Sequence, residues 1–306
     1  MKYLIVLNKD EDSVSFVNLE THQTVKKIKT DYNPHEVVIS PDRSKTFVTC
    51  SLGNSLYVIS NDTFEVIDII KHEGFDFPHG LAISEELNEL YLASTMSSKF
   101  YVIDIDSHEI KKVMDTYQDK SHMVTMSTDG KHAYIPNIGS RNVSIYSTEK
   151  QEIINHFPVG RGPEGLAVYK NGDIYSANQD DNMVCVFDPI TLKEKFKLKV
   201  GILPIRAMFT PDYKYLFVPN RESHDVSVID PEYSFCGKIR PYEIKRIPLG
   251  RWSGGVTFSP DSKLAYVANN KTNNISVILL ETLEVIYKIK VGIHPDGIAY
   301  LEKKSD

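Results

Sequence analysis

Residues 254–286 read GGVTFSPDSKLAYVANNKTNNISVILLETLEVI. The stretch contains four short segments rich in β-branched and aromatic residues, separated by Asp, Asn, Ser and Lys. Segments of this composition and length predict β-strands, and the short turns between them predict antiparallel pairing. No part of the stretch has the 3.6-residue period of an amphipathic helix. It therefore predicts one antiparallel sheet of four strands.

The same unit recurs along the whole chain. Each copy begins at a turn with Pro or Ser, and successive turns lie 41 to 49 residues apart. The seven turn residues are Pro34, Pro78, Ser121, Pro163, Pro204, Ser253 and Pro295. A period in the low forties with four strands per unit is typical of a β-propeller. We therefore predict an all-β fold, a seven-bladed propeller that forms a single domain over residues 1–306.

The two chain ends predict how the ring closes. Only one strand, at 297–301, follows the last turn, whereas the chain begins at residues 3–8 with the second strand of a unit. The closing blade should therefore combine one C-terminal strand with three N-terminal strands.

Composition limits the classes of partner. The chain has 35 Lys and Arg against 41 Asp and Glu, a formal net charge of −6, which does not favour nucleic acid as a partner. No apolar run is long enough to cross a membrane. Cys50, Cys185 and Cys236 are too few and too scattered for a disulfide framework. We expect a reduced, cytoplasmic protein with no membrane partner.

Three motifs resemble those of the YVTN family of seven-bladed propellers. They are the Tyr-Val-Ala-Asn strand at 266–269, the Ser-Pro-Asp turn at 259–261, and Val-Gly-x-x-Pro-x-Gly at 159–165 and 291–297. The resemblance covers essentially the whole chain and implies the fold. It leaves the function open, because the family and its relatives include lactonase-like enzymes, metal and haem proteins, and binding proteins.

The residue after each turn residue should face one mouth of the central channel. These seven positions hold His35, His79, His122, Glu164, Ile205, Gly254 and Asp296. Three imidazoles on adjacent blades predict a site for a divalent transition metal ion, with Zn, Cu, Ni, Co and Fe all open. Glu164 and Asp296 would orient the histidines or transfer protons. The alternative is that these side chains only line the channel.

Other residues near this mouth are candidates for catalysis or substrate binding. Cys50 lies on a blade that carries one of the histidines, and its thiol is either a nucleophile or an inert buried group. Arg206 replaces a glycine of other units and would pair with Glu164 or hold a substrate carboxylate. The candidate substrate-binding residues are Arg206, Arg251, Trp252, Tyr32 and Phe77.

These observations lead to two hypotheses about function. The first is a metal-dependent enzyme of lactonase, hydrolase, lyase or isomerase type, which acts on a small anionic molecule. The second is a non-catalytic propeller that binds a ligand or a protein. Residues 231–243 form a long insertion, predicted on the face opposite the histidines, which is a candidate protein contact.

Overall fold

The computed structural model describes residues 1–303. It contains seven four-stranded antiparallel sheets, whose innermost strands contact one another in sequence around a central channel. The predicted seven-bladed propeller is confirmed. Within the described residues the only helical element is a 3-10 turn at Asn270–Thr272, and no helix there is long and apolar enough to span a membrane.

The strands are numbered in chain order. In blades 1 to 6 the strands are given from the innermost to the outermost, and the blade that closes the ring is called the closing blade. The closing blade contributes β1 (Lys2–Asn8), β2 (Ser13–Asn18) and β3 (Gln23–Lys29). Blade 1 has β4 (Pro34–Ile39), β5 (Lys45–Cys50), β6 (Ser55–Ser60) and β7 (Glu65–Ile70). Blade 2 has β8 (Pro78–Ser84), β9 (Glu89–Ser94), β10 (Lys99–Asp104) and β11 (Ile110–Asp115). Blade 3 has β12 (Thr125–Met126), β13 (His132–Asn137), β14 (Asn142–Ser147) and β15 (Glu152–Pro158).

The remaining blades follow the same order. Blade 4 has β16 (Pro163–Val168), β17 (Ile174–Asn178), β18 (Met183–Phe187) and β19 (Glu194–Lys199). Blade 5 has β20 (Met208–Phe209), β21 (Leu216–Asn220) and β22 (Asp225–Asp230), then a hairpin of β23 (Ser234–Phe235) and β24 (Lys238–Ile239), then β25 (Tyr242–Pro248). Blade 6 has β26 (Ser253–Phe258), β27 (Leu264–Asn269), β28 (Asn274–Leu279) and β29 (Glu284–Lys290), and β30 (Pro295–Glu302) ends the fold.

The ring closes as predicted. Strand β30 pairs antiparallel with β1, so the closing blade has the order β3-β2-β1-β30. Leu4 lies opposite Tyr300 and Val6 opposite Ile298 in this pair. Hydrogen bonds between the two ends of the chain therefore complete the closing blade.

The hydrophobic core lies between neighbouring blades. Strand side chains alternate between the two faces of each sheet, and both faces are covered by an adjacent blade. Tyr91, Phe100 and Tyr146 illustrate this packing, because they bring blades 2 and 3 together with ring centroids 5.0 to 5.5 Å apart. Burial of one such side chain contributes about 1.5–3 kcal/mol, so the seven interfaces stabilise the ring collectively.

Asparagines at the ends of second strands tie those strands to the third strands. Asn269 Nδ2 donates to Ser276 Oγ at 2.9 Å, and Asn137 Nδ2 donates to Ser144 Oγ at 2.8 Å. Asn8 and Asn220 make the same bond to a serine seven residues later. All four asparagines are fully buried. The asparagine column is therefore structural, and blade 1 carries Cys50 in its place.

Candidate functional site

Three histidines meet at one mouth of the channel, because each follows the turn that begins an inner strand. His35, His79 and His122 are buried, with 8%, 1% and 8% of their surface exposed. Hydrogen bonds to backbone carbonyls fix the strands that carry them. Thr49 Oγ1 donates to the carbonyl of His79 at 3.1 Å, and the amide of His122 donates to the carbonyl of Pro136 at 2.9 Å. The predicted convergence of the three imidazoles is present.

One set of potential metal ligands lies within this cluster. It consists of His35, Glu36 and His79, whose ligand atoms all lie within 4.8 Å of one another. Glu36 Oε1 is 3.5 Å from His35 Nδ1 and 3.8 Å from His79 Nε2. A tetrahedral zinc ion with bonds of about 2.0–2.1 Å needs ligand atoms roughly 3.3–3.5 Å apart. His35 Nδ1 is buried without a hydrogen-bond partner, as expected of a free ligand atom. The donor set fits a divalent transition metal.

His122 does not belong to this ligand set, which corrects the prediction from sequence. Its ring stacks on that of His79, with centroids 3.7 Å apart and planes inclined by 24°. Its Nδ1 lies 3.1 Å from the hydroxyl of Thr95. The stacked ring presents a face to His79, so it supports the position of that imidazole.

Glu36 was not among the site residues predicted from the sequence. The signal was present one position after the histidine column, where four of the seven units have glycine: Gly80, Gly165, Gly255 and Gly297. The same reasoning that singled out Arg206 in that column applies to Glu36, which stands at the equivalent position of blade 1. Both side chains point to the channel, and Arg206 Nη2 donates to Glu36 Oε1.

Arg206 therefore pairs with Glu36, and the predicted pairing with Glu164 is wrong. Arg206 is buried, so in this arrangement it is not an exposed clamp for a substrate. The cation nearest Glu164 is Arg221, at 3.8 Å. The reason is geometric, since Arg206 extends across the channel to blade 1.

Three carboxylates and three cations share this mouth. Glu36 pairs with Arg206, Glu164 with Arg221, and Asp296 with Lys9 at 2.9 Å. Asp296 Oδ2 also lies 3.8 Å from His35 Nε2. A carboxylate at this position can orient an imidazole whose other nitrogen binds a metal.

Burial and neighbouring charges shift the pKa values of these groups in different directions. Burial, together with neighbouring cationic groups, lowers the pKa of His79 and of His122 well below the usual value, so both imidazoles are neutral at pH 7. Burial also raises the pKa of Glu164. Burial alone would raise the pKa of Asp296, but His35, Lys9 and Arg206 outweigh it and lower that pKa. Asp296 is therefore a fixed anion, whereas Glu164 is the carboxyl group better suited to exchange a proton.

Cys50 is not an activated nucleophile. Its thiol is fully buried, and burial raises its pKa to about 12. The polar groups that influence the thiol are Thr30, Asp31 and Ser55, and none is an imidazole. The prediction of an activated thiol is therefore wrong, and the inert alternative describes this residue.

The predicted substrate-binding residues divide into two groups. Phe77 stacks over His79, with centroids 5.9 Å apart, and Trp252 lies 5.2 Å from the guanidinium of Arg221. These two aromatic residues border the buried cluster. Tyr32 is 69% exposed, and Arg251 is also exposed. Within residues 1–303, neither the Tyr32 nor the Arg251 side chain forms a hydrogen bond, ion pair or ring contact with the histidine cluster.

Searches of solved structures find many propellers similar to this chain. Hydrazine synthase of Kuenenia stuttgartiensis is 23% identical, with a TM-score of 0.79 over 90% of this chain and 92% of that one. A propeller of Bacteroides fragilis described as a "putative 6-phosphogluconolactonase" is 17% identical, with a TM-score of 0.80 over 98% of both chains. The periplasmic gluconolactonase PpgL of Pseudomonas aeruginosa is 16% identical, with a TM-score of 0.78 over 99% of both. At these identities the similarity establishes the fold alone. No curated protein sequence matches the chain.

The comparison with family models is more specific. The model of the YNCE-like beta-propeller matches residues 71–304, which is more than half of the chain and agrees with the resemblance in the repeat motifs. The chain belongs to the YNCE-like β-propeller family.

Proposed function

We propose that this protein is a metal-dependent hydrolase of small anionic molecules, of the lactonase type. The observation that carries the proposal is the set of His35, Glu36 and His79 at the channel mouth. Two imidazoles and a carboxylate are ligands that zinc and similar ions accept. A bound ion of this kind would polarise a carbonyl or acidify a water molecule.

The residues around the ligand set support distinct roles. Asp296 would orient the His35 ring through the nitrogen that does not face Glu36. Its carboxylate lies 3.8 Å from His35 Nε2 and stays ionised. Glu164 would exchange a proton with water or the leaving group, because its pKa is raised. Phe77 would cover the site by its stacking on His79. Lyase or isomerase chemistry would use the same groups.

Cations around the mouth support an anionic substrate. Arg221 lies at the edge of the cluster, in contact with both Glu164 and Trp252. If Glu164 is protonated, which its raised pKa favours, the charge of Arg221 becomes available to a substrate carboxylate or phosphate. The solved propellers described as gluconolactonases make sugar lactones the first substrates to test.

The experiment is a hydrolysis assay with a pH indicator. Gluconolactone and 6-phosphogluconolactone would be offered to protein loaded with Zn²⁺, Mn²⁺ or Co²⁺. We expect Glu36→Gln to lower kcat/KM by roughly a hundredfold or more, since it removes a ligand charge. The control is Glu243→Gln, which changes a partly exposed carboxylate that is paired with Arg246 far from the histidine cluster in sequence. Hydrolysis of neither lactone, or equal rates for both variants, would contradict the proposal.

The second candidate function is a protein-binding propeller, and the blade 5 hairpin favours it. Phe235 and Ile239 are 59% and 67% exposed, and Tyr242 stacks on Tyr233 beside them. Exposed apolar groups in one segment are typical of a protein contact. Deletion of 234–239 would abolish capture of such a partner without changing lactone hydrolysis. The chain has a net charge of −6, which disfavours nucleic acid as a partner. We keep a cytoplasmic location in this proposal on the strength of the three free cysteines.

A further inference from the structure

We propose that the half of the channel opposite the histidines binds an uncharged, mostly apolar small molecule whose terminal group both donates and accepts a hydrogen bond, such as a primary amide. This half, called here the lower compartment, is a cavity of about 480 Å³. It runs from Glu36 and Arg206 to the turns at 127–128 and 210–213. Thr128 and Pro211 are exposed there, so the compartment opens on the face of the Ser-Pro-Asp turns.

A partition closes the compartment at its inner end. Arg206 reaches across the channel, where Nη2 donates to Glu36 Oε1 and Nη1 lies 3.6 Å from Met123 Sδ. These three residues occupy equivalent positions on blades 1, 3 and 5, and glycines occupy that position on the blades between them. A Cβ on Gly165 would lie 2.6 Å from Arg206 Cα. The glycines therefore leave room for the three long side chains to meet in the channel.

The walls of the compartment are mainly apolar. They include Val38, Leu81, Val124, Leu166, Phe209 and Val256. Glu36 and Arg206 are the only charged residues among those that line it in the described part of the chain, and both lie at the closed end. A cavity of 300–1,000 Å³ with apolar walls and a few convergent polar groups is the usual form of a small-molecule site.

The ion pair selects against charged ligands. Glu36 and Arg206 carry opposite charges, so the closed end has no net charge to attract an ion. An anion that accepted the Nε hydrogen of Arg206 would also lie against the Glu36 carboxylate, which repels it. A cation would meet the same obstacle at Arg206. Apolar walls add the cost of removing water from an ion.

The pair nevertheless leaves one acceptor and one donor for a ligand. Contacts from Arg206, His35 and His79 all fall on Oε1 of Glu36, so Oε2 remains as an acceptor. The Arg206 bonds seen in residues 1–303 use Nη1 and Nη2, so the Nε hydrogen remains as a donor. A carboxamide matches this pair, because its NH₂ group donates and its oxygen accepts.

This inference does not require hydrolase activity, although Glu36 belongs both to the partition and to the proposed metal ligand set. None of the three histidines lines the lower compartment, and the partition separates the compartment from them. Octanamide binding to protein without added metal therefore tests this inference separately from the hydrolase.

The test is isothermal titration calorimetry with octanamide, octanoate and octylammonium at pH 7.5. Met208→Trp should block the compartment, because Met208 lines its wall and is 42% exposed. Met96→Trp is the matched control, since Met96 is 56% exposed and lies outside the lining. We expect octanamide to bind native protein and Met96→Trp alike, with at least a tenfold weaker affinity for Met208→Trp. Both ions should bind native protein at least tenfold more weakly than the amide.

Three results would overturn the inference. They are absence of octanamide binding, octanoate or octylammonium binding as tight as the amide, and equal octanamide affinities of the two tryptophan variants. Far-UV circular dichroism of each variant verifies that the fold is kept.

Discussion

Glu36 Oε1 faces three groups at once. It accepts a hydrogen bond from Arg206, and it lies 3.5 Å from His35 Nδ1 and 3.8 Å from His79 Nε2. A metal held by the two imidazoles would share this oxygen with a guanidinium. Arg206 is therefore a resident counter-cation, which holds the Glu36 side chain in position. The same pair forms the partition of the channel.

Removal of Arg206 should destabilise the fold strongly. Arg206→Met leaves Glu36 buried without its main partner, and breaking a buried ion pair in this way costs about 3–5 kcal/mol. The double variant Glu36→Gln/Arg206→Met should recover at least half of that loss, because no charge is then left unpaired. Urea denaturation of the two variants and native protein measures the difference. A double variant less stable than Arg206→Met would contradict the role of the pair.

At the scale of strands and turns, columns of equivalent residues were predictable, but side-chain directions were not. The histidine column was correct because the turns repeat, and His35, His79 and His122 do converge. Whether a ring presents an edge or a face depends on packing across blades, so the stacking of His122 on His79 could not be predicted. Arg206 pairs with Glu36 on a distant blade for the same reason.

The Ser-Pro-Asp turns predict a specific loss of stability in acid. The hydrogen bond from Ser40 Oγ, with others from Ser44, lowers the pKa of Asp42 to about 2, against roughly 3.9 in an unfolded chain. A lowered folded pKa contributes stability above the unfolded pKa, and this contribution is lost as pH falls toward 2. Asp42→Asn should therefore show a smaller decrease of its urea midpoint between pH 5 and pH 2 than native protein.

The control for this prediction is Asp62→Asn. Within residues 1–303, the hydrogen bonds of Asp62 involve its backbone, and its side-chain carboxylate accepts none. Its urea midpoint should follow the native pH dependence. Identical pH profiles for native protein and Asp42→Asn would show that the turn carboxylate does not contribute.

The whole molecule depends on closure of the ring. Strand β30 pairs with β1 and places Ile298 and Leu301 in the buried core. Repeat spacing and the positions of the chain ends were sufficient to predict this architecture, because each blade needs four strands. The separation of the channel into two halves was not predictable, because it depends on three side chains that meet from blades 1, 3 and 5.

Deletion of residues 295–306 should open the ring. The closing blade would lose its inner strand, including the buried apolar side chains of Ile298 and Leu301, with a cost of about 5 kcal/mol or more. A circular permutant that joins the natural ends and opens the chain at the exposed turn 85–87 keeps every strand. We expect cooperative thermal unfolding of the permutant near the native midpoint and a much lower midpoint, or none, for the deletion. Equal midpoints would contradict the importance of closure.

The most direct measurement is titration of chelator-treated protein with Zn²⁺ by calorimetry, for native protein, Glu36→Gln, His79→Gln and His122→Gln. Native protein should bind about one ion per chain. Glu36→Gln and His79→Gln should lose at least about tenfold in affinity, whereas His122→Gln should stay near native, because His122 lies outside the ligand set. Failure of native protein to bind Zn²⁺, Mn²⁺ or Co²⁺, or an equal loss in His122→Gln, would contradict the metal site at His35, Glu36 and His79.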